Sequence, residues 1–364
     1  MTRTALVVLA LSITGCPHRT HRAATRDAAT PVAPAVDASA GVGVVLPPAP
    51  AVPLPPAGLP ALPASAALDA VTPDRLALGE LLFWDGRLAT DGKTACATCH
   101  DPAHGYSGAI DKTAAGELEL RRTPALANLA WAREYGWDGR FTSLDELMTA
   151  HVKGQLGQSL DAGMAALAQL PVYRAHVARV GGTPGEAALH ALEAFALTRY
   201  DGDSPWDRLE PAARAPKPGA AVDPVVAGYV VFTGKGQCAV CHMPPLYTDF
   251  GYHAIDARAG GDPGRGKVDP KQRGAFRTPA LRGAGARPEF LHDGAAKTLD
   301  QALDAHLSAA PDLPGSGRAR GSDPGGADPA VQKLALTADE RAHVLAFVGA
   351  LTAARPPATK PVLP

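Results

Sequence analysis

Apolar and polar positions along this chain read as helices joined by loops, and no stretch keeps the every-other-residue alternation of a half-buried strand. Thr72 precedes Pro73 and predicts a helix running to about Trp84. Thr183 with Glu186, and Thr337 with Glu340, predict helices to about Tyr200 and Leu351. The same hydroxyl-then-acid-or-amide pattern opens helices at Ser143 and Thr298. Two segments stand apart. Residues 17–70 are Ala, Pro and Val with scattered charge, too poor in large apolar side chains to pack, and read as a disordered linker. Residues 308–334, rich in Gly, Pro, Ser and Arg, read as a long loop.

Composition refines this. At 364 residues and 46% apolar the chain can bury about two domains' worth of core. Thirty-five Pro and 38 Gly fit short helices and many loops. A net charge of −1 gives no electrostatic case for nucleic acid. At the N-terminus, Arg3 precedes the apolar run Ala5 to Ile13, which is too short to cross a bilayer. Leu11 to Gly15 followed by Cys16 resembles a bacterial lipobox. That implies a signal peptide over 1–16, a lipid on the Cys16 thiol and a membrane anchor on the periplasmic side. Pro17 in place of Asp does not signal retention at the inner membrane, so the outer membrane is expected.

The other four cysteines form Cys96-Ala97-Thr98-Cys99-His100 and Cys238-Ala239-Val240-Cys241-His242. Each is C-x-x-C-H, the attachment signal of c-type haem. Two thiols can add to the two vinyl groups while the adjacent His reaches the iron. Zinc is disfavoured because the pairs lie 142 residues apart. Disulfides or a thioredoxin-like pair leave both histidines unexplained.

An internal repeat extends the pattern. Gly79 and Phe83 precede the first site as Gly228 and Phe232 precede the second. Arg122-Thr-Pro-Ala-Leu126 and Arg277-Thr-Pro-Ala-Leu281 follow, and 16 residues beyond each Arg stands Asp-Gly, at Asp138 and Asp293. His151 and His306 close the register, each 29 residues after its Arg. This reads as a duplicated haem module, with His100, His242 and His306 as iron ligands. His151 is either an axial ligand or an unligated residue of the opposite pocket wall. Arg122 and Arg277 are candidates for pairing with haem propionates. His104 and His253 are placed for contact with the haem edge, and His176, His190 and His343 as helix-surface residues.

Together with Leu78-Gly79-Glu80-Leu81-Leu82-Phe83, Trp137-Asp138-Gly139-Arg140 and Ser204-Pro205-Trp206-Asp207-Arg208, these motifs resemble the bacterial di-haem cytochrome c peroxidase and MauG family over about residues 71–352. The resemblance implies a mainly α fold of two cytochrome c-like haem domains. A peroxide-reacting domain is expected at 71–210, an electron-transfer domain at 211–352 and a tail at 353–364. It implies two covalent haems, and Trp137 as an electron relay between them. His306 falls where the peroxidases carry Met and MauG carries Tyr. Leu147 stands at the family's pocket Gln and Gln155 at its Glu, so His151 is the expected proton-handling group if it is not on the iron. Residues 105–122 lack the family's switching His, and Arg122 replaces an Asn of its calcium site, which speaks against calcium. The expected activity is reduction of hydrogen peroxide with electrons from a small cytochrome or cupredoxin. The alternatives are MauG-like oxidation of a partner protein, or electron transfer alone.

Overall fold

In the computed structural model, which describes residues 44–214, 222–255, 261–307, 334–355 and 358–364, the capping residues open the helices expected of them. Cys16 with the whole leader, residues 17–43 of the Pro-rich segment and 308–333 of the long loop lie outside the described residues. The helices of eight or more residues are α1 Pro73–Trp84, α2 Leu144–Gln155, α3 Leu160–Leu167, α4 Pro171–Val180, α5 Pro184–Leu197, α6 Pro205–Arg214, α7 Pro224–Thr233, α8 Leu299–Leu307 and α9 Ala338–Ala350. Strand is confined, among the described residues, to β1 Tyr252–His253 and β2 Phe276–Arg277, antiparallel with Tyr252 opposite Arg277. Reciprocal capping boxes start α5 and α9. Starts α2 and α8 share a variant. Ser143 and Thr298 accept from the third helical N–H, but Glu146 and Gln301 reach back one residue further, to the N–H groups of Thr142 (3.0 Å) and Lys297 (2.6 Å).

The repeated glycines are where helices touch. A Cβ on Gly79 of α1 would stand 2.1 Å from the Ala191 carbonyl oxygen of α5. One on Gly228 of α7 would stand 1.9 Å from that of His343 on α9. One turn on, Phe83 stacks on Phe195 at 4.4 Å between centroids, and Phe232 meets Phe347 at 5.0 Å. The Gly-x-x-x-Phe spacing therefore does the same packing twice: backbone against backbone at Gly, ring against ring at Phe.

Two principal cores result. Leu78, Leu82, Val152, Met164 and Tyr173 lead the first; Trp206, Phe232, Tyr247, Phe347 and Leu351 lead the second. A smaller cluster joins Leu129 and Leu144 to Leu197. Residue 210, the expected dividing point, lies inside α6, whose Trp206 is buried in the second core. Polar links tie the early segment to the later one. Arg121 grips Asp262 through two nitrogens, at 2.6 and 2.8 Å, and Asp138 at 2.9 Å. Arg265 reaches Glu134 at 2.9 Å, and the Arg277 N–H donates to the Trp137 carbonyl at 2.8 Å.

Two expectations are corrected. The Pro-rich segment is not free from residue 44 onward. Carbonyls of Ala57, Gly58 and Ala61 accept from the Asp203 N–H, Arg282 and Trp131 at 2.7, 2.6 and 3.0 Å, and Leu46 is buried. Its anchorage is through backbone acceptors, which a count of large apolar side chains does not register. His176 is buried rather than superficial, because α4 presents Tyr173 and His176, one turn apart, toward the first core.

Gly228→Ala is expected to lower stability by about 1–3 kcal/mol through overpacking, although the same change in an open helix would stabilise. Thermal unfolding of the purified protein reads this directly; an unchanged or higher midpoint would show that α7 and α9 are not held by backbone contact.

Candidate functional site

Two cavities carry the repeated chemistry. The first is lined by Cys96, Cys99, His100, His151, Gln155 and Leu147, the second by Cys238, Cys241, His242 and His306. Trp137, Arg122 and Arg277 line both.

Each Cys-x-x-Cys-His histidine is oriented the same way. His100 Nδ1 is 3.1 Å from the Tyr106 carbonyl oxygen, and His242 Nδ1 is 3.1 Å from that of Tyr247. Donation through Nδ1 leaves Nε2 with its lone pair free for a metal. Both tyrosines sit in the left-handed region, φ 57° and 56°, a conformation rarely taken by a non-glycine residue. The same two carbonyls accept from the N–H groups of Leu126 and Leu281, each at 3.2 Å. These leucines end the two Arg-Thr-Pro-Ala-Leu repeats, so the repeat supplies the strut behind each histidine. Sequence reasoning missed Tyr106 and Tyr247, because their contribution is a carbonyl and a backbone angle. A signal was present in retrospect: a Tyr six and five residues after each histidine.

Opposite His100 stands His151, with ring centroids 5.9 Å apart; opposite His242 stands His306, at 6.1 Å. Two imidazoles binding one metal from opposite sides, with metal–nitrogen bonds of ~2 Å, need a similar separation. His306 Nδ1 lies 2.7 Å from the Ala302 carbonyl one turn back on α8, which fixes its outward nitrogen. Among the described residues no hydrogen-bond partner meets the His151 ring. Burial pushes His100, His151 and His242 down to about 4 and lowers His306 as well, so all four are neutral at pH 7, as metal ligation requires. The four thiols form no disulfide, and burial pushes Cys96 up to about 12 and Cys99 and Cys238 to about 11. Such thiols are poor thiolates, which does not suit a reactive redox pair.

Three arginines complete the walls. Arg122 is buried, donates to the Leu291 carbonyl at 2.6 Å and lies 4.9 Å over the Trp137 ring. Arg277 donates to the Glu134 carbonyl at 2.9 Å. Arg287, which lines the second cavity, donates to the carbonyls of Ala280 and Arg282 at 2.6 and 2.9 Å. No carboxylate hydrogen-bonds any of the three among the described residues. Burial pulls Arg122 down to about 9 and Arg287 to about 10, and lowers Arg277 too. Buried cavity-lining cations that no carboxylate hydrogen-bonds call for an anionic guest. Haem, with two propionates, fits this donor set and the thiol and imidazole pairs together.

The remaining candidates divide. Trp137 is buried between the cavities and donates through Nε1 to the Arg122 carbonyl at 2.9 Å. Gln155 Nε2 donates at 2.8 Å to Glu119, a cavity residue that sequence reasoning missed because 36 positions separate the two. His253 lines the second cavity and lies 2.8 Å from Asp249; His104 pairs with Asp101 at the surface and is not among the residues lining the first cavity.

Residues 73–213 match the family model described as di-haem cytochrome c peroxidase. The chain is 35% identical over 249 residues to the methylamine utilization protein MauG of Methylorubrum extorquens, covering 65% of this chain and 69% of that protein. It is 28% identical over 346 residues to the cytochrome-c peroxidase IdrP1 of Denitromonas iodatirespirans, covering 84% and 86%. Its fold is similar to a MauG-like protein associated with microbial copper homeostasis (TM-score 0.68, 22% identity, 84% of this chain and 94% of that one). The diheme peroxidase BthA of Burkholderia thailandensis is similar at TM-score 0.61 and 20% identity, covering 80% and 91%.

The Cys96→Ala/Cys99→Ala double variant is expected to keep one porphyrin through denaturation and acidified-solvent extraction, whereas the unaltered protein keeps two. Intact mass distinguishes the cases. Loss of both from the unaltered protein would refute thioether attachment.

Proposed function

The chain belongs to the di-haem cytochrome c peroxidase and MauG family, and from this we propose that it reduces hydrogen peroxide at the first cavity with electrons delivered through the second. Its cofactors are two covalently bound c-type haems. When bound, they supply the iron at which peroxide reacts and the store for the electrons it needs. The observation that carries the reading is the pairing of two Cys-His-lined cavities across one buried tryptophan.

The chain's own residues divide the work. Cys96, Cys99, Cys238 and Cys241 fasten the two groups. His100 and His242 present Nε2 from one wall, held by the tyrosine carbonyls. His306, fixed by its own helix, closes the second site from the other wall and keeps it for electron transfer. Arg122, Arg277 and Arg287 would hold the propionates, since a guanidinium pairs well with a carboxylate. Trp137 offers an indole between the cavities as the electron relay. His151 faces the peroxide site and Gln155 closes its side wall. The expected architecture, two duplicated haem-bearing parts, is supported by the repeated Gly–Phe helix contact and by the matched tyrosine carbonyls. Electrons would come from a small cytochrome or cupredoxin on the periplasmic side, with a lipid on Cys16 as the anchor. No helix of the described residues is long and apolar enough to cross a membrane.

A second reading rests on one observation, the 5.9 Å spacing of His100 and His151. With both rings on one metal the first site has no place for peroxide, and the protein carries electrons only. The ferric protein is expected to show one high-spin and one low-spin haem by electron paramagnetic resonance. His306→Ala should convert the low-spin signal to high-spin, while His151→Ala should leave it in place. Two low-spin signals, with no spectral response to peroxide, would discard the peroxidase reading in favour of the second.

A further inference from the structure

The first cavity presents two carboxylates among its described lining residues, Asp111 and Glu119, both from the loop that follows the first haem-attachment motif. That loop is a small hairpin. Lys112 bridges Leu118, the Thr113 N–H donates to the Glu117 carbonyl at 2.9 Å, and the Glu119 N–H donates to the Asp111 carbonyl at 3.0 Å. Gln155, at the end of α2, pins it twice. Its main-chain carbonyl accepts from the Ala114 N–H at 2.8 Å, and its side-chain amide donates to Glu119 Oε1 at 2.8 Å. One oxygen of Glu119 is therefore oriented by a dedicated donor on the helix that also carries His151.

This matters for the chemistry proposed above. Peroxide cleavage needs a proton taken from one oxygen and returned to the other. An amide such as Gln155 cannot exchange that proton, whereas a carboxylate can. An effective base is itself oriented by a further group. Glu119 has that group in Gln155; the His151 ring has no such partner among the described residues. Asp111 is exposed and turned toward the attachment motif, its Oδ2 lying 3.9 Å from Cys99 Sγ.

We infer that Glu119 is the proton-transferring carboxylate of the first cavity and that Gln155 is its positioning residue. The inference rests on the peroxidase reading and deepens it. Glu119 accepts the proton of the inner peroxide oxygen. The O–O bond breaks, and the outer oxygen leaves as water with its own hydrogen and the proton Glu119 returns. The remaining oxygen takes two electrons from the reduced donor protein and two protons from solvent to form the second water.

The test uses the ferric holoprotein and cyanide, which enters as a neutral weak acid and binds as an anion, leaving its proton to a base in the pocket. Calorimetric titration in two buffers of different ionisation enthalpy counts protons released. The unaltered protein and Asp111→Asn should retain the proton, Glu119→Gln should release it to buffer, and Glu119→Asp should retain it. Gln155→Ala should release part of it. In turnover, Glu119→Gln should lower kcat/KM for peroxide by about 100-fold or more. Proton retention unchanged in Glu119→Gln, or lost only in His151→Ala, overturns the assignment. Peroxide turnover undiminished in Glu119→Gln removes the carboxylate's role and leaves the peroxidase standing. Proton capture by Glu119 in a holoprotein that consumes no peroxide does the reverse. A holoprotein that takes up no cyanide overturns both.

Discussion

The structure is organised around a backbone carbonyl aimed at a buried imidazole, made twice. Tyr106 and Tyr247 each adopt a left-handed angle that turns a carbonyl oxygen onto the Nδ1 of the neighbouring histidine. Without that bond the histidine could rotate or change tautomer, and its outward nitrogen would not be committed to the cavity. The repeated Arg-Thr-Pro-Ala-Leu segments brace the same carbonyls from behind, which ties the loop after each attachment motif to the motif itself. The backbone angle costs of order 1–3 kcal/mol at each tyrosine, and it persists only where the surroundings over-determine it.

Much of this was legible in the sequence. The two attachment motifs, the 29-residue register and the helix caps are local patterns whose meaning does not depend on distant contacts. The Gly-x-x-x-Phe spacing could be recognised, but its role as a helix crossing could not, since that needs Ala191 and His343 from helices far along the chain. What escaped were effects carried by the backbone or by remote partners. The tyrosine carbonyls, the acceptors of residues 57–61 and the Gln155–Glu119 bond leave no mark in side-chain composition. His176 misled because a polar residue on a short helix looks superficial until a second helix is placed against it.

The wall between the cavities is built from charge as much as from apolar contact. Arg122 reaches both sites, stacks over Trp137 and accepts the indole N–H on its own carbonyl. A cation held over the ring face favours the neutral indole over its oxidised, positively charged form. A negative propionate at Arg122 would offset that bias. The same residue would thus link occupancy of the cavities to the ease with which the indole between them is oxidised.

The glycine crossings under each cavity have a mechanical consequence. Phe83 and Phe232 form part of the cavity linings and stand one turn from the points where two backbones meet without an intervening side chain. Close-packed contacts of that kind yield little under load. A cofactor seated on such a floor would gain or lose an electron with little movement of its surroundings, so the energy spent on rearranging atoms at each transfer would be small.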